Sequence, residues 1–333
     1  MNLATSYLGL KLQSPLVASA GPMTGSADRI GQLAAAGVGA VVLPSLFEEQ
    51  IRAEADRDAR LAEAGADSFG EALTYLPDPG TDLWPHHYLS LIERAGHAGV
   101  PVIASLNGST TGGWTDYARA MQDAGAAAIE LNIYYLPRDP VMPARDAEQR
   151  YVDILTTVKA VVTIPVAVKL NPYFSSFGEM AVRLDQAGAD GLVLFNRFMQ
   201  TDINPDTISV STGFELSSPA EAALARSWVA RLHGRVKASL AASTGVETPA
   251  DVAAYLLAGA DVVMTTSALL RHGPGHVAVL LDGLTAWLDR KGFKSPGEAR
   301  GMLAATADAV RPSYGRRGYL TAIEQGTHAY GPR

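Results

Sequence analysis

Eight short runs of apolar residues recur along the chain, and each is rich in valine, leucine, isoleucine or alanine. The runs are continuous rather than alternating, which is typical of strands buried on both faces of a parallel sheet. Five of the runs follow a helical pattern that stops at Ala-Gly, where a left-handed glycine is expected to end the helix (Gly37, Gly99, Gly125, Gly188 and Gly259). The eight predicted strands span residues 16–20, 40–44, 102–105, 128–132, 166–170, 191–195, 236–240 and 262–265.

Eight strand and helix units in 333 residues predict an α/β fold, a (β/α)8 barrel of the TIM type. We expect a single domain over residues 1–333, with the barrel at about 14–290 and a C-terminal tail at about 295–333. The alternative, a doubly wound sheet, usually shows G-x-G-x-x-G after its first strand, and residues 20–25 do not match. Alternating residues around Gly9 predict an N-terminal β-hairpin that closes the bottom of the barrel, with a surface extension as the alternative.

Three stretches of extra chain follow the second, fourth and sixth strands, at residues 46–83, 133–146 and 196–219. In a barrel these are loops at the C-terminal ends of strands, where active sites are built, although they could also be decoration. The first stretch is charged over residues 48–60, which predicts a solvated helix that could double as a lid.

The amino-acid composition excludes several kinds of catalytic site, metal site and partner. The chain has no cysteine, which excludes disulfides, thiolate metal sites and a cysteine nucleophile or base. A net charge of −7 with both signs interspersed argues against a nucleic-acid partner. The first residues lack the pattern of a signal peptide, and no apolar run is long enough to span a bilayer, so we expect a soluble, cytoplasmic protein without membrane contact.

Polar residues stand at the ends of five apolar strands, where burial is costly unless they have a function or a partner (Ser19, Asn107, Asn132, Lys169 and Asn196). Lys169 is the most informative, because its ammonium is predicted to point into the barrel mouth and to need an electron-rich partner there. An ion pair with Glu130 across the barrel and a Schiff-base lysine, as in barrel aldolases, are the alternatives.

Small residues follow the last two strands, at Thr244-Gly245 and Thr266-Ser267. Loops in these positions are the customary phosphate site of such barrels, so the pair favours a phosphorylated ligand. The histidine pairs His86-His87 and His272 with His276 lack the register of a metal site, and surface or capping roles are expected for them.

Several of these segments, taken in order, resemble the dihydroorotate dehydrogenase family (residues 15–21, 130–132, 166–174, 245–248, 259–261 and 266–269). The resemblance implies FMN bound at the mouth of the barrel, with the isoalloxazine ring near Ala18, Ser19, Asn107 and Asn132. It also implies that Lys169 faces the N1/O2 edge of the flavin and that Thr244, Gly245, Thr266 and Ser267 hold the phosphate. Ser45 and Asn196 occupy two further cofactor positions of the family.

The substrate half of the family pattern is different here. Tyr135 stands where the family has its catalytic Cys or Ser, and Pro137 replaces an asparagine that grips orotate. Pro44 and Arg197 replace further family residues, and residues 72–77 replace the asparagine-rich segment that faces the substrate. The chain therefore resembles the dihydroorotate dehydrogenase-like proteins, whose substrate this grouping does not specify.

These observations predict an FMN-dependent oxidoreductase acting on the CH–CH group of a small carbonyl or carboxylate substrate. Lys169 and Asn132 would act with the flavin, Tyr135 or Tyr134 would exchange a proton, and Arg197 could hold an anionic group, with Asn132, Tyr134, Asn196 and Arg197 around the substrate. A phenol, with a reference pKa of about 10, is mostly protonated at neutral pH, which favours alkene reduction.

Three alternatives are a true dihydroorotate dehydrogenase of pyrimidine biosynthesis, a non-catalytic flavin-binding subunit that docks through residues 48–60, and a lysine aldolase. Without cysteine the chain cannot ligate an iron–sulfur cluster with thiolates. Electrons would therefore be exchanged with a separate electron-transfer subunit, a quinone-like acceptor, fumarate or a nicotinamide. A homodimer is expected from related barrels.

Overall fold

A computed structural model of the chain describes residues 1–53, 85–110, 114–135, 137, 139–197, 201–213, 215–305 and 314–331. An antiparallel hairpin of β1 (Thr5–Tyr7) and β2 (Leu10–Leu12) comes first. Eight parallel strands form the barrel: β3 (Leu16–Ala18), β4 (Ala40–Val42), β6 (Val102–Gly108), β7 (Ala128–Ile133), β8 (Val166–Leu170), β9 (Gly191–Leu194), β12 (Ser239–Ala242) and β13 (Val262–Thr265). β13 pairs with β3 and β4 pairs with β6, so the sheet closes on itself. The predicted barrel and hairpin are confirmed.

The strands left over from the barrel extend two of its loops. β5 (Leu46–Phe47) pairs with the upper part of β6, and β10 (Thr201–Asn204) and β11 (Ser209–Thr212) form an exposed hairpin after β9. The seventh barrel strand begins later than the predicted residue 236. The Asp185 carboxylate accepts hydrogen bonds from the backbone N–H groups of Lys237 and Ala238, at 2.9 and 2.7 Å, so these residues are held outside the sheet.

Helices on the outside of the barrel alternate with the strands. They are α1 (Ala27–Ala35), α2 (Pro85–Ala95), α3 (Trp114–Asp123), α4 (Ala144–Lys159), α5 (Phe177–Gln186), α6 (Ala222–Leu232), α7 (Pro249–Ala258), α8 (Ser267–His272), α9 (His276–Lys291), α10 (Pro296–Ala299) and α11 (Arg316–Tyr330). The five Ala-Gly stops carry glycines with φ between +77° and +117°, as the sequence predicted. None of the helices in these described segments is long and apolar enough to cross a membrane.

The core has two layers because side chains alternate along each strand. One layer lies between the strands and the helices, and the other fills the inside of the barrel. Tyr7, Leu8 and Leu12 of the hairpin belong to the inner layer. Leu8 lies at the first residues of β9 and β12, since its N–H donates to Ser239 Oγ and its side chain packs on Gly191. The hairpin therefore plugs the N-terminal end of the barrel, as predicted.

The charged stretch after the second strand is only partly described, since residues 54–84 lie outside the described residues. Residues 48–53 are helical, but the prediction of a solvated face is wrong for Glu48, which is only 5% exposed. Its carboxylate accepts hydrogen bonds from the N–H groups of Ser109 and Thr110, at 3.0 and 3.2 Å, in the loop after β6. Burial of Glu48 thus ties this stretch to the barrel mouth.

Candidate active site

Polar side chains replace apolar ones toward the C-terminal end of the barrel interior. On β7 the inward positions are Ala128, Glu130 and Asn132, and on β8 they are Ala167 and Lys169. The period of two residues therefore places the polar groups directly above the apolar inner layer. Glu130 is 1% and Lys169 is 7% exposed, so both charges are almost completely removed from water.

Lys169 and Glu130 form an ion pair, with Nζ at 3.3 Å from Oε1. The ion pair was one of the alternatives predicted from the sequence, but its predicted position across the barrel is wrong. β7 and β8 are neighbouring strands, and Asn132 is the residue in register with Lys169. The second carboxylate oxygen, Oε2 of Glu130, has no hydrogen-bond partner among the described residues. An ammonium carries three N–H donors, so this contact leaves donor capacity for a ligand at the mouth.

Carboxamide side chains lie at the rim, and one of them, Asn132, is in register with Lys169. Asn132 Oδ1 accepts a hydrogen bond from Asn196 Nδ2 at 2.8 Å, which joins the end of β7 to the loop after β9. Asn107 on β6 lies in register with Asn132. Ser45 Oγ lies 2.8 Å from Ser105 Oγ on the same side of the mouth. The structure therefore brings together most of the polar residues that the sequence proposed for the flavin.

The two residues proposed on the first barrel strand behave differently from each other. Ala18 packs in the outer layer and is fully buried, so only its backbone could reach a ligand in the mouth. Ser19 follows it at the strand end, where its N–H donates to Thr265 O and its carbonyl accepts from Thr266 Oγ1. Thr266 thus links two strand ends instead of presenting its hydroxyl to the mouth.

Hydroxyls and a glycine converge at the predicted phosphate end. Gly245 has φ +70°, and a Cβ built on it would lie 2.7 Å from Ser218 O. Its N–H points to Ser217 Oγ at 3.4 Å, and Ser217 Oγ lies 2.9 Å from Ser267 Oγ. Thr244, also at positive φ, donates through Oγ1 to Phe195 O. The sequence reasoning missed Ser217, although Ser217-Ser218-Pro219 resembles the hydroxyl-then-proline helix start at Thr248-Pro249.

The two tyrosines after β7 have separate surroundings. The N–H of Tyr134 donates to Gly108 O at 3.3 Å. The Tyr135 hydroxyl contacts Met142 Sδ at 3.3 Å, and Arg150 Cζ lies 4.2 Å from the centre of the Tyr135 ring. Arg150 in turn donates through Nη1 to Ser109 O at 2.7 Å.

A cleft of about 910 Å3 opens beside the rim, between the β10–β11 hairpin and the start of α6. Arg197 lines it, but its Nε lies 2.9 Å from Glu221 Oε1 and its Nη1 donates to Glu215 O. Asp202 and Tyr173 line the same cleft, together with Asn196 and Thr244 from the mouth. The cleft is therefore continuous with the mouth, and the charge of Arg197 is already balanced by a carboxylate.

The second histidine pair has a structural role behind the predicted phosphate end. His272 Nε2 lies 2.6 Å from Glu247 Oε1, and His276 Nε2 lies 2.8 Å from Glu247 O. Burial by itself would raise the pKa of Glu247, but hydrogen bonds from His272 and Arg271 hold it below its usual value. These contacts join the loop after β12 to α8 and α9.

Comparisons with known proteins agree with this geometry. Residues 2–288 match the family model described as dihydroorotate dehydrogenase. The chain is 29% identical over 299 residues to the catalytic subunit of dihydroorotate dehydrogenase B (NAD(+)) from Methanocella arvoryzae, covering 88% of this chain and 95% of the relative. Identity to the same subunit from Methanothermobacter thermautotrophicus is 26%, over 90% and 98% of the two chains. A protein from Aeropyrum pernix, provisionally named dihydroorotate dehydrogenase A (fumarate), is 28% identical over 72% of this chain and 86% of its own.

Proposed function

Because the chain belongs to the dihydroorotate dehydrogenase family, we propose that it is an FMN-dependent oxidoreductase acting on the CH–CH group of a small carbonyl or carboxylate substrate. The family consists of oxidoreductases that act on CH–CH groups and are generally FMN-binding flavoproteins. The observation that carries the proposal is the buried ammonium of Lys169 at the mouth of the barrel, with carboxamides beside it. A cradle of one glycine and two hydroxyls (Gly245, Ser217 and Ser267) lies near the ends of β12 and β13.

The residues present fit FMN. At the cradle, the Gly245 N–H and the hydroxyls of Ser217 and Ser267 would hold the phosphate. A Cβ on Gly245 would lie 2.7 Å from Ser218 O and 3.0 Å from the backbone N of Ala222, so glycine is needed for this loop to pack as it does. Lys169 would face the N1/O2 edge, where a cation stabilises the anionic reduced form. Asn107 and Asn132 would hydrogen-bond the ring or the substrate above it. The bound cofactor would supply a two-electron donor and acceptor for the substrate.

The chain itself would supply the proton. One of the two tyrosines, Tyr134 or Tyr135, is the candidate, since the chain has no cysteine and the family's base position carries a tyrosine. A phenol O–H is a proton donor, so this residue type favours reduction of an activated alkene over oxidation of its saturated form. Arg197 would reach an anionic substrate group only by sharing its guanidinium with Glu221.

A second candidate is dihydroorotate oxidation itself, which the names of the relatives favour. Electrons would then leave through a separate subunit or a soluble acceptor, because the chain has no cysteine to hold an iron–sulfur cluster. The aldolase alternative loses support, since the family is one of oxidoreductases.

The visible spectrum of the purified protein tests the proposal. We expect a flavin band near 450 nm, present on purification or gained with added FMN. Gly245→Ala should lose the band, because the new methyl group lies against Ser218 O. Gly96→Ala should keep the band, because a Cβ there meets no atom of the described residues within 4 Å. Wild-type protein that stays colourless with excess FMN would refute the flavin assignment.

The substrate is tested by anaerobic titration. Dihydroorotate is added to the oxidised protein, and fumarate or orotate to the photoreduced protein, while the flavin band is followed. Rapid bleaching by dihydroorotate would favour the second candidate over a changed substrate. Reoxidation by an unsaturated acid without bleaching by dihydroorotate would favour alkene reduction.

A further inference from the structure

The side-chain alternation of β7 separates the two tyrosines that follow it. Asn132 lies on the inner face of the strand, while Ile133 packs in the outer layer between strands and helices. The hydrogen bond from Tyr134 N–H to Gly108 O continues the pairing with β6 for one more residue. Continued alternation therefore places Tyr134 on the side of the mouth and Tyr135 on the side of the helices.

The contacts of Tyr135 agree with the outer position. Its ring lies under the guanidinium of Arg150, at 4.2 Å, and its hydroxyl is directed to Met142 Sδ, at 3.3 Å. Arg150 belongs to α4, whose Tyr151 and Ile154 are buried in the outer layer. A thioether is a weak hydrogen-bond acceptor that takes no part in proton exchange at neutral pH.

Arg150 is itself held in place from the other side. Its Nη1 donates to Ser109 O at 2.7 Å, and the N–H groups of Ser109 and Thr110 bind the buried carboxylate of Glu48. Three segments that are distant in sequence thus meet at one point above β6 and β7. Tyr135, held between Arg150 and Met142, is therefore suited to fixing the position of the backbone at the end of β7.

We propose that Tyr134 is the residue that exchanges a proton with the substrate, and that Tyr135 is a positioning residue clamped by Arg150 and Met142. This inference rests on the proposed function. Two residues of extended chain span roughly 7 Å, so Tyr134 stands above the carboxamide of Asn132, where a substrate stacked on a flavin would lie.

The proton step balances in the direction of reduction. Bound reduced FMN would supply a hydride, with its two electrons, to one substrate carbon and would be oxidised in doing so. The neighbouring carbon forms a C–H bond with the proton of Tyr134, whose O–H bond breaks. The resulting phenolate recovers a proton from solvent, and the reverse sequence applies to oxidation.

Tyr134→Phe and Tyr135→Phe form a matched pair of variants for the test. Stopped-flow traces of the flavin band, with dihydroorotate as donor and orotate or fumarate as acceptor, measure the two half-reactions. We expect Tyr134→Phe to slow them roughly 10^2- to 10^4-fold, as loss of an acid–base group does, with unchanged flavin content and Tm. Tyr135→Phe, which loses only the hydroxyl contact with Met142, should slow the reaction less than about 10-fold. Arg150→Met, which uncovers the Tyr135 ring, should lower Tm with a similarly small effect on rate. The opposite ranking of the two tyrosine variants would overturn the assignment.

Nitration by tetranitromethane, mapped by mass spectrometry, gives a readout that needs no turnover. Tyr134 should be nitrated in the apoprotein and protected by FMN, whereas Tyr135 should react slowly in both states because Arg150 covers its ring. Preferential nitration of Tyr135 would contradict the inference even in a protein that binds no flavin. A protein in which Tyr134 is nitrated faster than Tyr135, but which shows no flavin band and no protection by FMN, would instead contradict the proposed function.

Discussion

Lys169 and Glu130 are two buried charged residues, and each charge is stabilised by the other. Each would be costly to bury alone, and the 3.3 Å ion pair offsets that cost while the second oxygen of Glu130 stays without a partner among the described residues. A pair arranged in this way holds an ammonium at the mouth of an otherwise apolar barrel.

Removing one member of this pair is expected to destabilise the apoprotein by about 3–5 kcal/mol, because the other charge remains buried. Lys169→Met and Glu130→Gln should each show this loss in urea unfolding, and the double variant should lose less than the sum of the two. Single variants within about 0.5 kcal/mol of the wild type would show that the pair carries no such energy.

Glu48 shows how one carboxylate can make stability depend on pH. Burial would raise its pKa, but hydrogen bonds from the Thr110 hydroxyl, from the N–H groups of Ser109 and Thr110, and the charge of Arg52 lower it below its usual value. An acid with a depressed pKa in the folded state contributes stability above its unfolded pKa, and this contribution is lost as pH falls through the folded pKa.

We therefore expect Glu48→Gln to unfold at lower urea concentration than the wild type at pH 7, with a difference that shrinks as pH falls below about 4. Glu49→Gln is the matched control. Because Glu49 is exposed, this substitution should change neither the urea concentration of unfolding nor its dependence on pH. A constant difference between Glu48→Gln and wild type from pH 7 to pH 3 would contradict the assigned shift.

The N-terminal hairpin is the element that closes the barrel floor. Leu8 and Gly9, both at positive φ, form its two-residue turn, and Leu8 accepts this uncommon conformation for a non-glycine residue while its side chain fills the barrel bottom. Gly191 lies beneath it, and a Cβ there would lie 2.5 Å from Leu8 Cδ2, so the leucine side chain would have to shift.

Leu8→Ala should cost about 2–5 kcal/mol through the cavity it leaves. Gly191→Ala should also destabilise by forcing Leu8 to move, and the double variant should be less destabilised than the sum, since the new methyl group enters the vacated space. Urea denaturation of the wild type, the two single variants and the double variant gives the coupling free energy between Leu8 and Gly191. Strict additivity would show that the hairpin does not press on β9 at this point.

For the whole molecule, the C-terminal residues divide into a packed part and an exposed part. Ala299 is fully buried, and the N–H groups of Gly301, Leu303 and Ala305 bond to carbonyls of α6 and α7. Helix α11, in contrast, has no buried residue. The barrel should therefore depend on residues 296–305 and not on α11.

Truncation after Gly315 should leave the free energy of barrel unfolding within about 0.5 kcal/mol of the full chain. The control is truncation after Lys294, which removes Ala299 and these backbone hydrogen bonds and should cost at least about 2 kcal/mol. A large loss on removing α11 alone would mean that it packs against the barrel in solution.

Much of the fold was predictable because its signals are local. Continuous apolar runs reflect burial of a strand on both faces, and Ala-Gly stops reflect the backbone conformation of one residue, so both can be read without knowing any partner. The start of β12 was mispredicted because a side chain from another helix, Asp185, holds Lys237 and Ala238. Polar strand ends such as Asn132 and Lys169 were identified because burial makes polar groups conspicuous in an apolar run.

The contacts within the candidate site needed the closed barrel. Glu130 meets Lys169 from 39 residues away, Ser217 meets Ser267 from 50, and Glu48 meets Thr110 from 62. The amino-acid sequence alone thus established that eight strands alternate with helices and that polar groups gather where the strands end. Which of those groups pair, and which tyrosine faces the mouth, depended on strand register and barrel closure, because these set the distances between residues far apart along the chain.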